Sequence, residues 1–163
     1  MATFHRFESD FSEEAGAHGL IPVIASAFDH GLSEEEYTAA AFVSYSDAVR
    51  GNHLARYMEI EAAFTRLLDA LAVDGVSRIQ FPHRLQPLNP KASRYRKIVQ
   101  RGLRDLFTDE LYFHGLDARL IFNWDLTHWF FLRRQEDVAT LTERVKASGL
   151  HVLEPRRPKA RSS

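Results

Sequence analysis

His53, Tyr57 and Glu61 recur at four-residue steps, which on a helix places all three on one side. A carboxyl beside a histidine is the raw material of general acid–base catalysis, provided burial moves its pKa toward neutrality. At a helical rise of about 1.5 Å per residue, His53 and Glu61 stand roughly 12 Å apart along the axis, too far to share one metal ion. Glu61 also borders an apolar stripe, where a carboxylate needs a partner. Two readings follow: a buried ion pair with an arginine from the basic stretch downstream, and an acid–base pair of Glu61 with His53. The first is favoured. The eight histidines show no HxH, HxxxH or HExxH spacing and cysteine is absent, so no metal centre, thiol chemistry or cofactor is expected. The chain also lacks GxSxG, P-loop and GxGxxG patterns.

Binding chemistry is better represented. The stretch ARLIFNWDLTHWFFLRR, residues 118–134, holds two tryptophans, three phenylalanines and three arginines. It reads as two strands joined by a tight turn near Asn123–Leu126. Alternation sends Leu120, Phe122, Phe130 and Leu132 to one face, with Ile79 and Phe81 of an earlier strand expected beside them. The other face would carry Arg78, Arg119, Trp129, Phe131 and Arg133, an aromatic centre rimmed by cations. Tryptophan and arginine are over-represented at binding hot spots, and a bare patch of this kind usually marks an interface. The competing expectation is that N-terminal helices cover the patch and their acids pair its arginines.

Charge is divided along the chain although the net value is only −1. Residues 1–47 hold nine acids against one base, Arg6, whereas residues 75–104 hold eight bases and no acid. Four more bases follow in PRRPKARSS. Such asymmetry points to a nucleic-acid or acidic-protein partner, unless the two parts neutralise each other on folding.

The elements that must position these residues can be read from periodicity. Ser33 followed by Glu34, Glu35 and Glu36 is a capping-box helix start, and Tyr37, Ala41, Tyr45 and Ala48 continue the stripe to RGN. A longer helix is expected over 52–72, with Leu54, Tyr57, Ile60, Phe64, Leu67, Leu68 and Leu71 on its apolar side. GLIPVIASAF is apolar, but Pro22 argues against a central strand and suggests a short helix or irregular segment. VSRIQF reads as a strand and PHRLQPLNP as a loop. Residues 93–107 form an amphipathic helix with Arg94, Lys97, Arg101 and Arg104 outward. A helix over 135–148 and a strand LHVLE close the domain.

Residues 76–154 therefore read β-α-β-β-α-β, and the fold class expected is α+β with a ferredoxin-like unit and an N-terminal helical extension. Residues 1–74 would form the acidic, mainly helical part, 75–155 the ferredoxin-like domain, and 156–163 a basic flexible tail. Aromatics and bases on such a sheet resemble the RNA-recognition motif. That resemblance implies base stacking on the sheet, although THWFFLRR stands where the family carries a glycine-and-aromatic signature.

The N-terminal MATFHRFESD has neither a basic leader nor a long apolar run, and no stretch approaches the ~20 residues of a membrane span. A soluble, cytoplasmic chain without a membrane partner is expected. The reading favoured for it is a non-enzymatic binding protein that inhibits or regulates a macromolecule, immunity- or antitoxin-like by class. The partner would be another protein, met through complementary potential. The alternatives are an RNA- or DNA-binding domain, with helix 93–107 on phosphates, and a small enzyme using Glu61 and His53.

Overall fold

The computed structural model describes residues 4–8, 10–106 and 109–155. The tail 156–163 lies outside the described residues. After an extended arm come α1 (Phe11–Ala17), β1 (Ile21–Ser26), α2 (Glu34–Ala39), α3 (Tyr45–Arg50) and α4 (Leu54–Ala72). Then follow β2 (Val76–Gln80), β3 (Arg84–Leu88), α5 (Ser93–Leu103), β4 (Leu111–Phe113) and a 3-10 turn at His114–Leu116. β5 (Ala118–Ile121), β6 (Thr127–Leu132), α6 (Gln135–Ala147) and β7 (His151–Leu153) are the last elements of the described residues. The seven strands form one open antiparallel sheet in the order β3-β2-β4-β5-β6-β1-β7.

The fold is thus mixed α+β, but the strand run expected over 76–154 is not arranged as foreseen. β2 neighbours β3 and β4 rather than β6, and β1 occupies the place between β6 and β7. β1 was the segment expected to be helical or irregular. Its Val23 and Ile24 favour extended backbone, and β7 pairs only with Ile24–Ser26. Pro22 therefore has a strand neighbour on one side alone, where a residue without an N–H is tolerated. The same logic explains β3, expected as loop. It is an edge strand, so Pro87 interrupts no second ladder.

The helix expected to run from Ser33 to RGN is two helices. Ser33 and Glu36 do form the reciprocal capping box. The helix nevertheless ends at Ala40, and Ser44 starts α3 by accepting from the Asp47 amide. Two serine caps eleven residues apart compete for one stripe, and the second cap wins at its own helix start.

The main core lies between one sheet face and the helices α4, α5 and α6. It joins Phe64, Leu67, Leu68 and Leu71 to Val76, Leu111, Phe113, Leu120, Phe122, Phe130 and Leu132. Leu120, Phe122, Phe130 and Leu132 take the face expected of them. Ile79 and Phe81 do not. Val76 and Arg78 pair with Phe113 and Leu111 of that core face, so Ile79 and Phe81 point to the other one. A strand's own alternation cannot fix its phase relative to a strand whose register is unknown. Arg78 accordingly sits on the helix-covered side at its margin, bound to Asp109 at 2.6 Å, and not beside Arg119 and Trp129.

Gly102 of α5 allows this close packing. A Cβ there would lie 2.4–2.7 Å from the Phe122 ring, including the ring atom Cγ that cannot swing aside. Gly102→Ala is expected to destabilise the protein by about 1–3 kcal/mol through overpacking, although alanine is the better helix former. A urea titration showing equal or greater stability would contradict that packing.

Candidate functional site

The sheet face opposite the helices is divided. Over β4, β5 and the Phe131 end of β6 it is covered by the N-terminal arm and the first residue of α1. Phe131 is 1% exposed, with the Phe7 ring edge-on at 5.0 Å and Phe11 at 6.2 Å. Arg119, 4% exposed, lies 4.5 Å from the Phe7 ring and 5.4 Å from Phe81. Its Nε donates to Glu110 at 2.5 Å, and burial raises the Glu110 carboxyl pKa despite that pairing. Aromatic rings of the arm, rather than acids of long helices, are what cover this half of the expected patch. Arg133 lies at its exposed margin, 3.5 Å from Asp117.

Toward β7 the same face opens into a groove of about 610 Å³. Leu153, Ile24 and Trp129 line up in register across β7, β1 and β6 and form its floor. Asp10 and Ser12 at the start of α1 also line it, as do Phe28, His30, Glu34 and Tyr37. Trp124 and Asp125 at the β5–β6 hairpin tip and Glu154 after β7 complete the lining.

The local sequence explains this shape. Leu126 takes a left-handed backbone, φ 58°, that leucine ordinarily avoids. Its side chain is buried with Phe42, Ala48 and Tyr57, and the apolar burial offsets the conformational cost. With Leu126 turned inward, Trp124 remains 50% exposed at the tip. Asp125 is held by the Tyr37 hydroxyl, the Thr127 hydroxyl and the Asn123 side-chain amide. The Tyr37 and Trp124 rings are 5.9 Å apart at 35°. His30 is bound by Asp29 at 2.6 Å and Glu36 at 2.7 Å, and these hydrogen bonds hold its pKa above the ordinary value.

A second surface is basic. Arg94, Lys97 and Arg101 on α5 are exposed, as are Arg84, Lys91 and Arg96. Among the described residues none of these six belongs to an ion pair. No ion pair among them joins an acid of residues 1–47 to a base of residues 75–104 either. The charge division of the sequence therefore persists in the fold. The groove borders the β7 edge, and Arg84 lies on the opposite edge, six strand spacings or roughly 30 Å away.

Glu61 and His53 are not brought together. Glu61, 8% exposed, receives Nε of Arg104 at 2.7 Å and its Nη2 at 2.8 Å, while the guanidinium also lies 4.5 Å from the Tyr45 ring. Arg104 is thus the arginine expected from the basic stretch, and it faces inward rather than toward a partner. His53 stacks on Phe42 at 5.9 Å. No group of three or more metal-ligating side chains occurs among the described residues. Among the described residues no helix is long and apolar enough to cross a membrane.

One histidine does have an unusual environment. His128 is buried between Phe64 and Phe122, its Nδ1 accepts the Asn123 amide at 3.0 Å, and its Nε2 has no partner. Burial lowers its pKa to about 3.

Strand alternation points to Trp129 in this groove, whereas Trp124, Tyr37 and Phe28 enter it from segments without such a pattern. A usable signal existed for Trp124: it stands between Asn123 and Asp125 in a turn, where no strand face is available to bury it. Comparison with protein-family models, curated proteins and solved structures finds no match to this chain.

Proposed function

We propose that this is a small, soluble, cytoplasmic binding protein without catalytic chemistry of its own, which inhibits or regulates a macromolecular partner. An immunity- or antitoxin-like inhibitor is the class that suits it best, with a basic protein as the partner. The observation that carries this reading is the absence, among the described residues, of ion pairs between the acidic first third and the basic middle. Unpaired fields of opposite sign on one small molecule are a device for steering association and rejecting wrong partners. Glu61, the best acid–base candidate, has both oxygens engaged by Arg104, which accounts for its burial without catalysis.

The finer fold reading is compatible with this role. The order β7-β1-β6-β5 supports a ferredoxin-like unit built on a different strand set from the one expected over 76–154, with β2, β3, α5 and β4 then an insertion that widens the sheet. Kinship of fold alone assigns no function. The test is capture from cell extract on the immobilised chain at low ionic strength. A retained protein that survives nuclease treatment and elutes with salt is the expected result, and retention of nothing would refute the binding role.

The six unpaired cations on β3, α5 and the loop between them favour a second reading, in which this surface contacts nucleic-acid phosphates. Loss of the captured material on nuclease treatment would select it. On that reading the triple change Arg94→Ala, Lys97→Ala, Arg101→Ala should flatten the slope of log affinity against log salt by about 2–3, one fewer released counterion per lost phosphate contact. An oligonucleotide affinity indifferent to salt would eliminate it.

A further inference from the structure

We propose that the groove beside β7 seats an arginine side chain carried by a basic segment of the protein partner. This rests on the binding role proposed above and adds the chemistry of the contact. The groove's volume, about 610 Å³, falls within the roughly 300–1,000 Å³ typical of ligand sites.

Its apolar floor of Ile24, Trp129 and Leu153 suits the methylene stem of a long cationic side chain, which packs on apolar surface while its head stays polar. Trp124 is half exposed, with the Tyr37 ring tilted beside it at 35°. Two rings at that angle make a wall rather than an enclosing cage. A flat, weakly hydrated guanidinium stacks on such a wall, whereas a compact, strongly hydrated ammonium gains less from it.

The charges fit the same occupant. Asp125 is fixed by three neighbouring donors, so its carboxylate is already ordered before anything binds. Glu34 and Glu154 in the lining belong to no ion pair among the described residues. His30 is the groove's one basic side chain among the described residues, and Asp29 and Glu36 already hold it. A phosphate-bearing partner would meet repulsion here; an arginine finds both a stacking face and counter-charges.

The test measures fluorescence anisotropy of a labelled peptide of alternating glycine and arginine against its lysine counterpart, using the full chain. The arginine peptide should bind saturably and about 10-fold more tightly than the lysine one. Trp124→Ala should remove most of that preference, since truncating an aromatic anchor commonly costs at least tenfold. The double change Glu34→Gln, Glu154→Gln should weaken both peptides, and it decides the matter if the tryptophan variant misfolds.

Equal affinity for the two peptides, or an arginine preference untouched by both variants, would overturn the proposal. If neither peptide binds while a basic protein is still captured, the groove is refuted and the binding role survives. Binding that appears only after Arg156, Arg157, Lys159 and Arg161 are replaced by serine would assign the groove to the chain's own tail and likewise refute a partner's arginine.

Discussion

An Arg104→Met variant is expected to lose about 3–5 kcal/mol of folding stability, the usual consequence of leaving one member of a buried ion pair without its counter-charge. Glu61 is almost wholly enclosed, and its two carboxylate oxygens are met by two nitrogens of the same guanidinium at 2.7 and 2.8 Å. Methionine preserves much of the packing against Tyr45 but supplies no charge. The carboxylate must then take up a proton, admit water or move, and each alternative raises the energy of the folded state. Because the loss comes from an orphaned charge, removing the second charge should reverse it. Glu61→Leu combined with Arg104→Met is expected to lie within about 1 kcal/mol of the parent, since apolar replacement of a complete buried pair is often neutral. Urea titrations of the parent, the single and the double variant measure this directly. A single-variant loss below about 1 kcal/mol would mean that water already reaches Glu61 and that the pair behaves as a surface ion pair.

Acidification should destabilise the fold through His128, with an effect on the order of 4 kcal/mol. The ring is neutral when folded because burial lowers its pKa from 6.5 to about 3. Above pH 6.5 neither state binds the proton and the group contributes no pH dependence. Between about pH 6.5 and 3 the unfolded chain binds a proton that the folded chain refuses, so stability falls as pH falls through that window. Each pH unit in it is worth about 1.4 kcal/mol per proton. His128→Asn cannot titrate, and its Oδ1 can replace Nδ1 as acceptor for the Asn123 amide. The variant is expected to start less stable, because a cavity opens between Phe64 and Phe122, but to show a shallower decline from pH 6.5 to 4. Parallel declines in parent and variant would show that His128 charges without cost, and hence that its surroundings are not dry.

Much of the architecture was legible because several elements carry signals that do not depend on their neighbours. The capping box at Ser33, the apolar stripe of α4, the amphipathic α5 and the alternation in β5 and β6 are local properties, and each appears where the residues indicate. What could not be read is which strands lie side by side. β1 contains a proline that disfavours a strand until one knows that β7 does not reach it. β4 has only three residues, too few for alternation to register. The phase of β2 is set by pairing with that same short strand and not by its own alternation. The candidate site shows the same division. The partner of Glu61 was foreseen as an arginine of the basic stretch, since a buried carboxylate demands one. The groove was not, because it assembles α1, the loop before α2, the hairpin tip and β7, which come from two separate stretches of the chain, 10–37 and 123–154.

The proposed docking role requires the acidic and basic surfaces to remain separate and open. Amide line broadening by small paramagnetic cosolutes of opposite charge tests this most directly, because it reports the local potential residue by residue. The cationic probe is expected to broaden amides around Glu34, Trp124, Asp125 and Glu154 preferentially, and the anionic probe those around Arg94, Lys97 and Arg101. Equal broadening by both probes in the two regions would mean that the fields cancel, and the proposed docking role would lose its physical basis.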